Sequence, residues 1–241
     1  MNEDMKLYYD YTISPLGELF YQTVWSQMSD IKDKKVLDFG SGFGFTSHYL
    51  AQNNELIAVE KDEIMIAQAQ EKEAYPIING DLDCVKKMES ESYDVVVCHL
   101  VLEFVENPEE IIGELVRVLK RDGILSIVKH NKNGRIIQAL AKDYDLKDVH
   151  HLLNGGYSYS SAFGDIKYYD NESVVSWSDN QLTIQETFGV RAVASIQDGE
   201  IQQKEGWLTN MLEIEKVLCR KDEFIPIAFF NHIRLKKVCR F

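Results

Sequence analysis

The segment Val36-Leu-Asp-Phe-Gly-Ser-Gly-Phe-Gly44 places a carboxylate, Asp38, just before a turn with glycine at positions 40, 42 and 44. Glycines at that spacing can take positive φ and carry no Cβ, so a ligand can lie on the backbone beside the N-terminus of the helix that follows. Two more acids recur at matching places: Glu60 ends the next apolar run, and Asp81 follows the one after it, in Asn-Gly-Asp. A carboxylate at Glu60 can accept hydrogen bonds from both hydroxyls of a ribose, or stand as a solvated strand end. Asp81 can accept a ring amino group or cap the helix behind it, and Met65 can pack on a flat base or fill the core.

Two cofactors suit such a turn. A dinucleotide fingerprint, Gly-x-Gly-x-x-Gly, needs its third glycine at position 45, where the chain has Phe45. Asp38 would repel a pyrophosphate, whereas it attracts the ammonium of a methionine moiety. The expectation is an S-adenosylmethionine site built on Asp38, Gly40, Gly42 and Glu60, with Met65 and Asp81 at the adenine; a nicotinamide oxidoreductase is disfavoured by Phe45 and Asp38.

Acids and glycines can converge only if the strands that carry them run side by side. Through the first 130 residues, short Val-, Ile- and Leu-rich runs alternate with helical patterns, the signature of a parallel sheet covered by helices. Strands are expected at 36–39, 56–60, 76–79, 94–99 and 124–129, and helices near 44–52, 63–73, 82–88 and 108–120. The last helix is the best marked: Asn107 caps, Pro108 takes the first position, Glu110 completes a capping-box spacing, Ile111, Ile112, Leu115, Val116 and Leu119 share a face, and Gly123 follows the end. A helical piece near 135–144 then leads into the Gly-, Ser- and Tyr-rich stretch 154–170, an insertion suited to a lid. Beyond it come a helix near 172–179, a β-type run over 182–196, a helix near 204–220 and a final strand near 229–238.

In chain order, VLDFGSGFG, VEKDEIM, NGDLD, YDVVVCHLVLEFVENPEEII and LKRDGILSIVKHN resemble the motifs of class I S-adenosylmethionine-dependent methyltransferases. HLVLEFVENP, LSIVKHN, Thr187–Arg191 and Met211–Glu215 are further similar to the bacterial tRNA carboxymethoxyuridine methyltransferases, which esterify a wobble-uridine carboxylate; that likeness covers most of the chain. The resemblance implies an α/β, Rossmann-like methyltransferase fold, a mostly parallel seven-stranded sheet with helices on both faces and an inserted lid segment. It divides the chain into a cofactor-binding half (1–133), a lid or substrate-facing segment (134–170) and a C-terminal completion of the same core (171–241). Carried over, the cofactor site falls on Gly40 and Ser41, Glu60, Leu82 beside the adenine and His99 at the fourth strand's end. Asn131 and Arg191 would face the acceptor. Read as plain structure, His99 is a satisfied histidine, Asn131 a strand-end cap and Arg191 a surface charge.

Two departures weigh against a tRNA acceptor. An arginine that helps those enzymes hold the cofactor corresponds here to Phe20, and the insertion has no Lys or Arg between Asn154 and Asp165. The formal charge, 26 cations against 39 anions or −13, also opposes a polyanion. What remains is a basic cluster of Arg234, Lys236, Lys237 and Arg240 with Lys129 and Lys132, while Tyr157 and Tyr159 could stack on a base or fill the lid's underside.

The cysteines Cys84, Cys98, Cys219 and Cys239 show no zinc-ligand spacing, and the adjacent His150 and His151 diverge on any element, so no metal is expected. No stretch reaches the ~18–20 apolar residues that span a bilayer, and the acidic start is unlike a secretory signal, so a cytoplasmic chain without membrane contact is expected. The partner is a methyl acceptor: a carboxylate of a modified tRNA wobble uridine, or a small-molecule carboxylate or hydroxyl. Methyl transfer demands no particular catalytic residue; a carboxylate acceptor needs only orientation, for which Arg191 is the candidate, and a hydroxyl or amine would need a base such as His99 or His130. The reading from another class is a module that binds the cofactor without turnover.

Overall fold

The apolar runs become strands β1 (Lys35–Phe39), β2 (Glu55–Glu60), β3 (Ile77–Asn79), β4 (Tyr93–His99) and β5 (Leu119–His130), and the later ones β6 (Leu182–Val190) and β7 (Phe230–Lys237). This is a computed structural model, and it describes residues 2–70 and 75–238. Cys239, Arg240 and the end of the helix expected over 63–73 lie outside the described residues. The strands assemble as one sheet in the order β3-β2-β1-β4-β5-β7-β6. Four pairs, β1–β2, β1–β4, β2–β3 and β4–β5, are parallel. From β1 the chain steps outward to β2 and β3, then returns to the other side of β1 with β4. Strand order therefore reverses between β1 and β4, and open α/β sheets bind ligands at the carboxyl ends of the strands at such a switch point. Register carries the acids there, with Asp38 opposite Ala58 and Glu60 opposite Asn79.

The chain divides into two compact units. One comprises Met28–Val128, Tyr169–Glu186 and the residues from Ile233 onward, and holds the body of the sheet. Its core is Leu37, Val96, Leu125, Ile127 and Ile233 from the strands, with Ile112 and Leu115 from a helix, each fully buried. That helix, Pro108–Val118, buries Ile111, Ile112, Leu115, Val116 and Val118 as its apolar stripe anticipates, at roughly 1.5–3 kcal/mol per large side chain. Its ends differ from expectation. Asn107 makes no side-chain cap bond, and Glu110 pairs instead with Lys86 Nζ at 2.7 Å. The helix stops at Val118 because Leu119 turns extended to pair with Tyr93, and the ladder shifts register before Val95 meets Ile124.

The other unit comprises the residues up to Gln27, Lys129–Tyr168 and Thr187–His232. Two N-terminal helices open it, Glu3–Thr12 and Pro15–Ser26, the second capped by Ser14, which accepts from Gly17 N at 3.2 Å. Leu16, Leu19, Ala194, Trp207 and Met211 form a small core. The insertion holds more structure than its composition suggests. The helix expected near 135–144 runs over Lys132–Ala141; a second, not expected, runs over Leu146–Leu153, and Ser158–Ser160 pairs antiparallel with Gly164–Ile166. The β-type run expected over 182–196 ends at Val190, since Arg191 has φ +58° and Ala194–Ile196 form a 3-10 turn. Gly206, at φ +74°, delays the following helix to Trp207–Leu218. No helix among the described residues is long and apolar enough to cross a membrane.

Candidate functional site

Strand β1 delivers Asp38 and then the glycine turn to the switch point. Backbone bonds shape the turn: Gly40 N and Ser41 N both donate to Val59 O, at 2.8 and 3.2 Å, and Gly44 N donates to Ser41 O at 3.0 Å. Gly44 (φ +73°) is needed for packing as well as conformation, since a Cβ there would lie 2.5 Å from Tyr75 Oη and 2.9 Å from Ala69 Cβ. Left-handed backbone costs roughly 1–2 kcal/mol and overpacking roughly 1–3. Gly44→Ala should therefore lower stability by about 2–5 kcal/mol, read as a drop in the denaturant midpoint at unchanged slope. Gly42 is different. It also has positive φ, +56°, but a Cβ there would meet only Met65 Sδ, at 3.8 Å, so its face is an open cradle.

Two carboxylates flank that cradle. Glu60 Oε2 accepts from Gly42 N at 2.8 Å, while Oε1 accepts from Lys61 N at 2.8 Å and Asp62 N at 2.9 Å. The end of β2 is thus tied directly to the turn. Asp38 is 2% exposed and its Oδ2 accepts from Ser47 Oγ at 2.5 Å. Burial, opposed by the Ser47 bond and aided by the charge of Glu60, pushes the Asp38 carboxyl up to about 7. Tyr75 Oη donates to Gly44 O at 3.2 Å, and burial with the nearby Asp38 raises its phenol to about 12, so it stays protonated.

Around this centre, Met65 is buried on the first turn of the helix Glu63–Gln70, which Asp62 caps by accepting from Met65 N at 3.0 Å. Asp81 caps the helix Leu82–Lys86, accepting from Asp83 N at 3.0 Å through Oδ1. His99 Nε2 lies 2.9 Å from Ser126 Oγ, and burial lowers its imidazole to about 3, so it is neutral at physiological pH. Ser41 Oγ is buried and has no hydrogen-bond partner among the described residues. An open glycine face, an orphaned hydroxyl, a carboxylate for a cation and another at the neighbouring strand end fit S-adenosylmethionine.

Residues 37–127 match the model of a methyltransferase domain. The chain carries a class I S-adenosylmethionine-dependent methyltransferase domain. Over 141 residues it is 31% identical to a ubiquinone biosynthesis O-methyltransferase of Rickettsia canadensis, covering 56% of this chain and 60% of that protein's length. It is 22% identical over 246 residues to the tRNA 5-carboxymethoxyuridine methyltransferase of Escherichia coli K12, covering 92% of this chain and 89% of that one. Among solved structures, an S-adenosylmethionine-dependent methyltransferase of Thermotoga maritima superposes with TM-score 0.61 at 16% identity, covering 97% of this chain and 96% of the other.

The methyltransferase domain gathers Asp38, Gly40, Ser41, Gly42, Glu60, Met65, Asp81, Leu82 and His99 in one unit; Asn131, Tyr157 and Arg191 belong to the other. There Asn131 is a cap: it accepts from Asn133 N at 3.2 Å and donates to Pro226 O and Ala228 O at 2.9 and 2.7 Å. Arg191 is no surface charge. It is 1% exposed, its Nε donates to Ser195 Oγ at 3.0 Å and a terminal nitrogen to Tyr11 Oη, and it lies over the rings of Tyr11, Phe229 and Phe230. Phe20 packs on Phe230, with ring centres 4.9 Å apart. Sequence reasoning missed Ser47 and Tyr75, which hold Asp38 and Gly44. Ser47, in the first turn of the helix after the glycines, was the findable one.

Three members of the basic cluster are held in internal pairs. Arg234 pairs with Asp30 at 2.6 Å, Lys236 with Asp122 at 2.8 Å, and Lys237 Nζ donates to Val116 O and Leu119 O at 2.8 and 2.6 Å. Lys129 is 6% exposed.

Proposed function

We propose that the chain is a cytoplasmic enzyme that methylates an oxygen, a carboxylate or hydroxyl, of a small molecule, with residues 134–170 facing the acceptor. The observation that carries this reading is the state of the C-terminal cations: on a chain of charge −13, Arg234, Lys236 and Lys237 are already committed to carboxylates and carbonyls rather than left for phosphates. A wobble-uridine carboxylate in tRNA is the second reading, favoured by the alignment that spans 92% of this chain.

S-adenosylmethionine, when bound, supplies a methyl group on a cationic sulfur. In this reading Gly42 admits the ligand to the backbone, Ser41 Oγ gains a partner, and Glu60 holds the ribose in the position its bonds to Gly42, Lys61 and Asp62 define. Asp38, steadied by Ser47, faces the amino end, with Met65, Asp81 and Leu82 at the adenine. His99, held neutral, adds no repulsion to a cation. The residues act by holding the reacting atoms in line, which can contribute up to about 7–11 kcal/mol of the barrier. A carboxylate acceptor asks only to be oriented.

The test is transfer from tritiated S-adenosylmethionine to fractionated small molecules and RNA. Label in the small-molecule fraction is the expected result; label in RNA alone selects the second reading, and binding without transfer to any fraction leaves a cofactor-binding module.

A further inference from the structure

One cavity, of about 600 Å³, lies wholly within the unit that contains the insertion, and none of the proposed cofactor residues lines it. That volume suits a small organic ligand. Its walls are rich in flat faces: Tyr157, Tyr159, Tyr168 and Phe229. Tyr168 is fixed in place, its hydroxyl 2.7 Å from Ser158 Oγ, whereas Tyr159 is 73% exposed and Tyr157 47% exposed. Rings presented in this way to a cavity are a stacking platform for another ring.

The charges at the cavity are unequal in what they leave over. Arg135 is taken by Asp148 at 2.6 Å and Asp143 at 3.3 Å. Asp145 is occupied as the cap of the helix Leu146–Leu153, accepting from Asp148 N at 3.0 Å. Lys147, exposed and also lining the cavity, has neither an ion pair nor a hydrogen bond among the described residues. A single uncommitted ammonium beside two carboxylates matches one negative charge; a dianion such as a phosphate monoester would meet Asp145 and Asp148 as well.

Beside the methyltransferase reading, we propose that this cavity is a ligand pocket within its own unit and that it takes a planar ring bearing one carboxylate, the ring stacked on Tyr157 and Tyr159 and the carboxylate set against Lys147. The same chemistry can arrive as a free aromatic acid or as a modified base within RNA, and the test separates the two.

Calorimetry on the full chain with S-adenosylhomocysteine present would use 1-naphthoate, its uncharged methyl ester, and an anticodon stem-loop carrying 5-carboxymethoxyuridine. The acid is expected to bind about fivefold more tightly than the ester, the worth of one exposed charge pair. Lys147→Ala should erase that difference by weakening the acid alone, and Tyr159→Ala should weaken acid and ester together by about tenfold. Both side chains are exposed, so neither variant threatens folding. If the stem-loop responds to both variants and the free acid does not bind, the pocket stands and RNA is the carrier. Equal binding of acid and ester, or no response of either probe to the two variants, overturns the inference. S-adenosylhomocysteine binding, titrated separately, reports on the methyltransferase reading: a chain that binds it and ignores both probes loses only the pocket.

Discussion

Replacing Glu60 with alanine is expected to weaken S-adenosylmethionine binding by roughly a hundredfold. Two hydroxyl donors to one carboxylate are worth about 1.5 kcal/mol each at the low end of the range for charged partners, and the sum corresponds to that factor. The side chain also orders the turn, since its two oxygens accept from Gly42, Lys61 and Asp62. Alanine leaves those three N–H groups to water, at a stability cost of about 1–3 kcal/mol. Glu60→Gln keeps a carbonyl oxygen but loses the charge and one acceptor, so it should fall between parent and alanine. Calorimetric titration beside a thermal melt separates the two effects. Affinity within threefold of the parent in a folded Glu60→Ala protein would remove Glu60 from the site.

The second large effect is a pH dependence set by Asp38. Its carboxyl is raised to about 7, chiefly by burial. The proton is therefore bound more tightly in the folded chain than in the unfolded one, and Asp38 stabilises the free protein fully only below the unfolded value near 4. That contribution declines as pH rises towards 7, because a buried carboxylate is left without a cation. A cationic ligand reverses the preference by favouring the ionised form. S-adenosylmethionine affinity should thus climb about tenfold per unit up to pH 7, level off, and fall again near pH 8 as the ligand's α-amino group loses its proton. Asp38→Asn should flatten the acidic limb and bind more weakly at pH 7.5. An affinity that does not change between pH 5.5 and 7.5 would place the amino group elsewhere.

Much of this was legible in the chain. Apolar runs such as Val95–Cys98 are buried on both faces, and that pattern marks a covered parallel sheet whatever surrounds it. The acids at 38 and 60 could be placed at strand ends because those runs stop there. Other features were hidden for identifiable reasons. The second helix of the insertion is short and carries two adjacent histidines, so its apolar face, Val149 and Leu152, is too sparse for a periodic signal. In the sequence Arg191 reads as facing the acceptor or, failing that, as a surface charge; its burial was hidden because nothing local announces Tyr11, Phe229 and Phe230, which only the tertiary fold brings around it. Glu110 gives its carboxylate to a partner distant in sequence, Lys86, rather than to a capping box, and Asn107 makes no side-chain cap bond.

The order of the sheet has a consequence for biogenesis. β7 is made after β6 yet lies between β6 and β5. While the ribosome is still short of residue 230, β5 presents an unpaired edge and β6 lacks its one neighbour in the sheet, and hydrogen-bonding capacity of that sort recruits other strands. Only when β7 emerges can it pair with β5 and bring β6 into the sheet, a slow, non-local closure during which chaperones would matter most.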